Sequence, residues 1–273
     1  MTSSGKASRT IGSRLLRNLS AQNKDIFTTS DAQKITETSP AATRVLLSDL
    51  VSKKWLIRLV PGKYLIVPLS AGENAEYSEN WYVVAKYLIK PNPYYLSHYS
   101  ALNIHEMTTQ PLMTTYITTP RRRQERMVLG ATFRFIAIDP HKLWGLEESW
   151  ITPSEKVKVS DLERTVVDCL NNPRLCGGIS ELAKGIWKKR NVIDYGKLVK
   201  YVERFGSKAV AKRLGFLLDL YHIGGSATDR LREFVTSTFV LLDPSLPAKG
   251  KRQSAWRVRV NLIPEELMQI IKT

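Results

Sequence analysis

A run of small side chains that contains one arginine and begins at Ser39 has the residue types needed for close contact with a grooved partner. Ser39 is a candidate N-cap and Pro40 suits the first helical position, so a helix is predicted to begin here. Its apolar stripe, at helical spacing, consists of Thr43, Leu46, Leu47, Leu50 and the stem of Lys54. Small residues on the opposite face allow close approach, and an arginine among them can donate to base edges. The chemistry indicated is DNA readout by Ser39, Ala41, Ala42, Arg44, Val45 and Ser48.

The helix that precedes this segment would hold it in position. Residues 30–33 read Ser-Asp-Ala-Gln, which has the form of a capping box and predicts the start of a helix at Ser30. Residues 36–38 then form a short turn before Ser39. A helix, a short turn and a second helix is the order of a helix-turn-helix.

A hairpin follows the second helix. Strands are predicted over residues 55–60 and 63–67, joined at Pro61-Gly62, which is a turn signal. Residues 26–67 therefore have the order of a winged helix-turn-helix, whose basic wing tip commonly meets phosphate or a minor groove. Helical cores with a hairpin also serve as protein-interaction modules, and that alternative stays open. The predicted wing contacts are Arg58 and Lys63.

The balance of charge favours nucleic acid as the partner. The 273 residues include 41 Lys and Arg against 25 Asp and Glu, a formal net charge of +16, while 43% of residues are hydrophobic and 24% charged. A basic surface attracts phosphate backbones and releases their counterions. Ribosomal proteins, proteins of membrane surfaces and ordinary basic proteins share this signature, so the charge alone does not decide among them.

Two cysteines, Cys169 and Cys176, do not make a disulfide framework and fit a reducing compartment. None of the four histidines has the spacing to them that a metal site requires, so we expect two partly buried thiols with no metal and no cofactor. The N-terminus lacks the apolar core of a signal peptide, and no apolar run is long enough to span a membrane. We therefore expect a cytoplasmic protein.

The length predicts two domains, and a polar stretch at residues 70–74 marks the boundary between them. The expected fold class is α+β: a winged helix-turn-helix in residues 1–70, then a larger mixed α/β domain in residues 75–273. Strands predicted over residues 114–118 and 133–138 flank an arginine-rich loop. This loop is either a second phosphate contact or a solvated loop. The residues concerned are Arg121, Arg122 and Arg123.

Three helices predicted at about residues 179–190, 194–205 and 207–221 have basic outer faces. From Lys156 onward the chain has 22 basic and 12 acidic residues, so much of the positive charge lies in the C-terminal part. This distribution predicts a second surface on the same nucleic acid. The basic residues assigned to it are Lys188, Lys189 and Arg190, together with Lys197, Lys200, Lys208, Lys212 and Arg213.

Candidate catalytic groups have simpler structural interpretations. Ser160 to Glu163 has the form of a second capping box, in which Glu163 is the capping acid, and Arg164 with Asp168 forms a local pair four residues apart. His98 and His105 are seven residues apart, but paired histidines of this kind are more often core or surface residues than acid–base catalysts. No phosphate-cradling glycine loop or nucleophile elbow is present in the sequence. We therefore expect a protein that is not an enzyme.

Several segments, taken together, resemble the AbiEi antitoxin family, whose members are antitoxins and transcriptional regulators of type IV toxin–antitoxin systems. The resemblance covers nearly the whole chain, and the Leu-Glu-Arg-Thr helix with the following Gly-Gly is its most specific part. The matching segments are the predicted winged helix, residues 95–102 (YLSHYSAL), 159–168 (VSDLERTVVD), 176–179 (CGGI), 211–218 (AKRLGFLL) and 258–261 (VRVN).

This resemblance implies a function that composition and spacing do not. It implies an autorepressor that binds inverted repeats of double-stranded DNA in its own promoter and counters a nucleotidyltransferase toxin, with direct contact to the toxin left open. A monomer in solution with several copies on DNA fits the same pattern. The alternative is a winged-helix transcriptional regulator unrelated to a toxin.

Overall fold

Apolar residues form a separate core in each of two units of the chain. The computed structural model of the protein describes residues 3–67, 81–89, 92–111, 113–128, 130–153 and 155–269. The first unit comprises residues 1–92, 126–132 and 150–156, and the second comprises residues 93–125, 133–149 and 157–273. The predicted linker at residues 70–74 lies outside the described residues.

Three helices and a small sheet make up the N-terminal core. Strand β3 is the central strand of an antiparallel sheet ordered β1-β3-β2, and Phe27 of β1 stacks on Tyr64 of β3 with ring centroids 5.8 Å apart. Leucines of α1 and α3 cover these rings. The elements of the first unit are α1 (Ser3–Ala21), β1 (Ile26–Thr28), α2 (Thr29–Thr36), α3 (Pro40–Ser52), β2 (Leu56–Val60), β3 (Lys63–Ile66) and α4 (Trp81–Ile89).

The capping box that opens α2 differs from the predicted one. Thr28 is the N-cap: its hydroxyl accepts from the Asp31 amide at 3.2 Å, and the Asp31 carboxylate accepts from the Thr28 amide at 2.7 Å. The predicted box of Ser30 with Gln33 is wrong, because Asp31 takes the role usually given to Glu or Gln. Burial raises the pKa of Asp31, but bonds from Lys24 and Thr28 outweigh it, and the pKa lies below its ordinary value.

A six-stranded mixed sheet follows in the chain. Its strand order is β6-β7-β5-β4-β9-β8, and β4 runs antiparallel to β5 and parallel to β9. The predicted strands over residues 114–118 and 133–138 are confirmed as β5 and β7. The bounds are β4 (Tyr95–Leu96), β5 (Thr114–Thr119), β6 (Arg126–Val128), β7 (Ala131–Ala137), β8 (Leu146–Thr152) and β9 (Glu155–Ser160).

Helices packed around α6 form the larger core of the second unit. The three C-terminal helices predicted from the sequence are confirmed as α7, α8 and α9. No helix among the described residues is both long and apolar enough to cross a membrane. The helices of this unit are α5 (His98–Ile104), α6 (Leu162–Asn171), α7 (Gly178–Lys188), α8 (Tyr195–Phe205), α9 (Lys208–Leu220), α10 (Ser226–Arg232) and α11 (Pro264–Gln269).

A last small sheet packs on α9. Strand β12 (Val258–Val260) pairs in parallel with β10 (Val240–Leu241) and antiparallel with β11 (Lys251–Gln253). The ring of Trp256 is buried against Gly215 of α9 so closely that a Cβ atom at Gly215 would lie 2.1 Å from it. Glycine at that position is therefore a packing requirement, although it lies inside a helix.

Candidate nucleic-acid interface

Helix α3 has the two faces that its sequence predicts. The Ser39 hydroxyl accepts from the Ala42 amide at 3.3 Å, and Pro40 occupies the first turn, so the helix begins as expected. Its buried residues are Thr43, Leu46, Leu47 and Leu50. Lys54 does not continue this stripe, because the helix ends at Ser52 and Lys54 has a positive φ of 59°.

The opposite face of α3 is open to solvent. Val45 is 70% exposed, so its side chain is open to contact by a partner. Arg44 forms no hydrogen bond or ion pair with any described residue, so its guanidinium is available to an external acceptor. The six residues predicted to contact DNA here, Ser39, Ala41, Ala42, Arg44, Val45 and Ser48, are all exposed.

A chain of threonine hydroxyls fixes the turn between α2 and α3. The Oγ1 atoms of Thr36 and Thr38 are 2.9 Å apart, and those of Thr38 and Thr43 are 2.8 Å apart. Arg14 of α1 donates to the Thr36 carbonyl at 2.8 Å, which ties α1 to the same turn. The sequence pattern places Thr43 on the apolar stripe but does not reveal its hydroxyl partners. This part-buried network holds the turn from which α3 begins.

The hairpin carries the two predicted wing residues in different settings. Gly62 has a φ of +77°, which the turn after Pro61 requires, and its carbonyl accepts from the Thr29 amide at 2.9 Å. Arg58 is exposed and without a partner among the described residues. Lys63 is half-buried, and its ammonium lies 5.6 Å from the centre of the Tyr87 ring. Arg58 is therefore the more available of the two cations.

The arginine-rich loop between β5 and β6 is exposed along its length. Arg121 and Arg122 have no partner among the described residues, whereas the Arg123 guanidinium lies 5.9 Å from the centre of the Phe135 ring. The loop thus presents positive charge to solvent. Both predicted roles, a phosphate contact and a solvated loop, are consistent with this exposure.

Only some cations of the predicted C-terminal basic surface are available to an external phosphate. At the end of α7, Lys188 is exposed, but Lys189 lies 3.3 Å from the Glu106 carboxylate. The Arg190 guanidinium donates to the Trp187 carbonyl at 2.7 Å and lies 4.1 Å from that ring's centre. Two of the three cations are therefore held by contacts within the second unit.

Lys212 and Arg213 of α9 are buried, so their predicted place on an outer face is wrong. The Lys212 ammonium donates to the Thr238 carbonyl at 2.6 Å and to the Thr236 hydroxyl at 2.8 Å. Arg213 donates to the carbonyls of Leu241 at 3.0 Å and Leu170 at 2.7 Å. Both cations satisfy backbone groups of segments distant in the chain, which a helical periodicity cannot reveal.

Charged residues at the start of α6 form a second network. Asp161, not Ser160, is the N-cap, and it accepts from the Arg164 amide at 2.8 Å, so the predicted capping box is wrong. Glu163 instead accepts from the Asp194 amide at 3.0 Å and pairs with Lys197 at 2.7 Å. Burial lowers the pKa of Lys197, but its bonds to Glu163 and Asp161 raise it overall. Lys197 is thus also committed within the unit.

Arg164 lies at the centre of this network and is fully buried. It pairs with Asp168 at 2.9 Å, as predicted for residues four apart, and donates to the Trp144 carbonyl at 3.0 Å. The hydroxyl of Tyr95 accepts from Arg164 at 3.2 Å and donates to Asp168 at 3.0 Å. Burial raises the pKa of Tyr95, and the Asp168 charge adds to that effect. Because Arg164 and Asp168 pair with each other, neither charge is available to an external partner. Arg164 also links α6 to Trp144 and Tyr95.

The N-terminal elements match a known family. Residues 14–67 match the family model described as transcriptional regulator, AbiEi antitoxin. The matched segment contains all of α2, α3, β2 and β3, so the resemblance predicted from the sequence is confirmed there. No curated protein matches the chain by sequence.

A solved structure shares the overall fold. The crystal structure of the RV2827C protein from Mycobacterium tuberculosis aligns with a TM-score of 0.68 over 97% of this chain and 95% of that chain. The two sequences are 15% identical, so the likeness concerns the fold alone.

Proposed function

We propose that the protein is a transcriptional regulator that binds double-stranded DNA through a winged helix-turn-helix formed by residues 26–67. The observation that carries the proposal is the exposed face of α3, where small residues surround an unpartnered arginine within the segment that matches a family of regulators. Helix α2, the threonine-fixed turn and α3 correspond to the helix-turn-helix, and the β2–β3 hairpin to the wing.

In the proposed complex, α3 enters a major groove and Arg44 donates to a base edge or a phosphate. Ala41, Ala42 and Val45 allow the backbone to approach the groove floor, and Val45 contacts an apolar base edge such as a thymine methyl group. Ser39 and Ser48 add short hydrogen-bonding groups. Arg58 holds the wing on the phosphate backbone, and Lys63 reinforces it.

Phosphate contacts outside this module are proposed where cations remain available. Arg121, Arg122 and Lys188 are exposed without partners among the described residues. Arg123 beside them, and Lys189 and Arg190 beside Lys188, contribute weaker positive potential because they also contact their own unit. Each true phosphate contact adds about one unit to the slope of log affinity against log salt.

The biological task that we propose is autorepression of a toxin–antitoxin operon through inverted repeats, together with neutralisation of a nucleotidyltransferase toxin. The match of residues 14–67 to an antitoxin family supports this task. We also propose a binding protein rather than an enzyme, because the acidic groups Glu163 and Asp168 are already engaged with Lys197 and Arg164.

The test is binding of the purified protein to its own promoter, measured by fluorescence anisotropy at several salt concentrations. Arg44→Ala is expected to weaken specific binding by about 1–3 kcal/mol and to relax sequence preference. The matched control is Arg17→Ala, an exposed arginine of α1 outside the proposed interface. Arg121→Ala with Arg122→Ala is expected to flatten the salt slope while sequence preference persists.

Two outcomes would contradict parts of the proposal. Equal binding of promoter and unrelated DNA by both the protein and Arg44→Ala would remove sequence-specific readout by α3. Promoter binding without rescue of cells that express the neighbouring gene's product would leave a winged-helix regulator unrelated to a toxin.

A further inference from the structure

The second unit contains a cleft of about 310 Å³ that the proposed DNA-binding function does not use. This volume lies at the lower end of the range for small-molecule sites. Its lining includes Asp168 of the buried network and Phe205 at the end of α8. The residues that matter for its chemistry are Tyr95, His98, Asp168, Asn171, Asn172 and Phe205.

His98 lines this cleft and has one ring nitrogen without a partner among the described residues. The side chain is 5% exposed, and its Nδ1 atom lies 2.9 Å from the Ser97 hydroxyl. The structure gives Nε2 no partner among the described residues, which also contain no fully buried side-chain nitrogen or oxygen that lacks a partner. Nε2 is therefore accessible to solvent, on a side chain that lines the cleft. A buried ring with one nitrogen fixed and one free is poised to bind a ligand atom.

His98 is one of seven described residues other than glycine with a positive φ, which is +51° in its case. Histidine adopts this left-handed region more often than most residue types, so the conformation does not by itself mark a site. Here the conformation occurs at the first residue of α5, which lines the cleft.

The part of the cleft that Asp168 lines is electrically neutral. The charge of Asp168 is compensated by Arg164, and its second oxygen accepts from Tyr95. Burial lowers the pKa of His98, so the imidazole is neutral at pH 7 and Nε2 can donate or accept according to its tautomer. This part of the cleft suits a ligand group that is polar but uncharged.

The remaining walls complement a flat heterocycle. The side-chain amides of Asn171 and Asn172 form no hydrogen bond with described residues, and each offers both donors and an acceptor. Ile136 and Ile138 supply half-buried apolar surface. Phe205 is 9% exposed and has the Lys142 and Arg164 cations over its ring, so it leaves little ring surface for a ligand. Lys142 is the only Lys or Arg among the described lining residues, and its ammonium already lies 4.5 Å from the centre of the Phe205 ring. A single committed cation does not make a polyphosphate site.

We propose that this cleft binds a nucleobase or nucleoside, with the ring packed against Ile136 and Ile138 and its polar edge bonded to His98 Nε2 and the asparagine amides. The ligand class follows from the neutral donor–acceptor groups of His98, Asn171 and Asn172 and from the apolar surface of Ile136 and Ile138. Recognition by such groups favours the uncharged nucleoside, and phosphates extend past the mouth without adding contacts.

The test is calorimetric titration of the full-length protein with adenosine, guanosine, cytidine and uridine, each at up to about 1 mM, near the weak limit of specific binding. His98→Asn retains a side chain that tolerates positive φ but removes Nε2. Asn171→Ala changes an exposed residue at the end of α6, and the matched control is Asn191→Ala, an exposed asparagine outside the cleft.

Binding of at least one nucleoside, weakened about tenfold or more by both cleft variants and by less than about twofold in the control, is the expected result. Circular dichroism establishes that each variant is folded. Absence of binding by all four nucleosides would overturn the proposal, as would equal binding by the control and both cleft variants. The same titration is made with nucleoside triphosphates and with free amino acids, and binding of either class about tenfold tighter than the nucleosides would overturn the proposal.

Discussion

Helix α3 and helices α6 and α9 place their cations in opposite environments. On α3, Arg44 is exposed beside small side chains and has no partner among the described residues. On α6 and α9, Arg164 and Lys212 are fully buried and Arg213 is nearly so, each surrounded by protein acceptors. A cation in the first environment can interact with an external partner, whereas one in the second stabilises the fold.

This difference changes how the net charge of +16 is interpreted. The C-terminal part has an excess of basic residues, but several of them, including Lys197, Lys212 and Arg213, satisfy carbonyls and carboxylates of their own unit. Charge counted along the chain therefore overstates the surface available to phosphate. Cations that remain without partners are the better guide to the interface.

The largest effect that separates the two environments is expected for Arg164→Ala. Removing the guanidinium leaves Asp168 buried without its cation, and such a loss typically costs about 3–5 kcal/mol of unfolding free energy. Urea unfolding measures it. The control, Arg44→Ala, is expected to change the unfolding free energy by less than about 0.5 kcal/mol. Equal destabilisation by the two substitutions would remove the distinction between the environments.

The α3 environment was predictable because its determinants are local. Ser39, Pro40 and the leucines of the stripe are close in sequence, so capping and helical periodicity define the start of the helix and both of its faces. Its end was missed, because the stripe was extended to Lys54. Strand β1 was not predicted, because three residues are too few to show a periodicity. Its pairing with β3 depends on contacts about 40 residues away in the chain.

The burial of charges on α6 and α9 was not predictable from spacing. Arg164 shares its helix with Asp168, but the groups that enclose it, Trp144 and Tyr95, come from other elements. Lys212 similarly finds its acceptors at Thr236 and Thr238. A helical pattern assigns charged residues to solvent by default, and only the tertiary structure supplies partners that overturn the assignment. The cleft beside His98 was missed for the same reason.

Gly215→Ala tests how tightly α9, the helix with buried cations, packs against Trp256. A methyl group at this position would overlap the Trp256 ring, whose nearest atom lies only 2.1 Å from the place that the added Cβ atom would take. Overpacking of this kind typically costs about 1–3 kcal/mol, and thermal unfolding measures it. The control is Gly196→Ala in α8, where the added atom would lie 3.3 Å from Asp194. If both variants unfold at the same temperature as the unsubstituted protein, α9 and Trp256 are packed loosely enough to accommodate a methyl group.

Thr43→Val tests the exposed environment of α3 through the turn that precedes the helix, without changing any charge. The substitution keeps the shape of the side chain but removes the hydroxyl that contacts Thr38, at an expected cost of about 1 kcal/mol in unfolding free energy. Because the hydroxyl chain links residues of the turn from which α3 begins, promoter affinity is expected to fall as well. Ser52→Ala, which removes an exposed hydroxyl at the end of the same helix, is the control. Unchanged promoter affinity in Thr43→Val would show that the turn does not depend on the hydroxyl chain.

The smallest effect is expected for Asp31→Asn, which probes a charge at the surface of the first unit. The pKa of Asp31 lies below its ordinary value of 3.8, because bonds from Lys24 and Thr28 outweigh partial burial. Its ionised form therefore contributes stability above pH 3.8, and that contribution is lost as the pH falls through the lowered value. For a pair this exposed the contribution is at most about 1 kcal/mol. Urea unfolding at a series of pH values should show the protein and Asp31→Asn converging in stability at the acid end. A difference that is the same at every pH would mean that the capping bonds, rather than the charge, carry the effect.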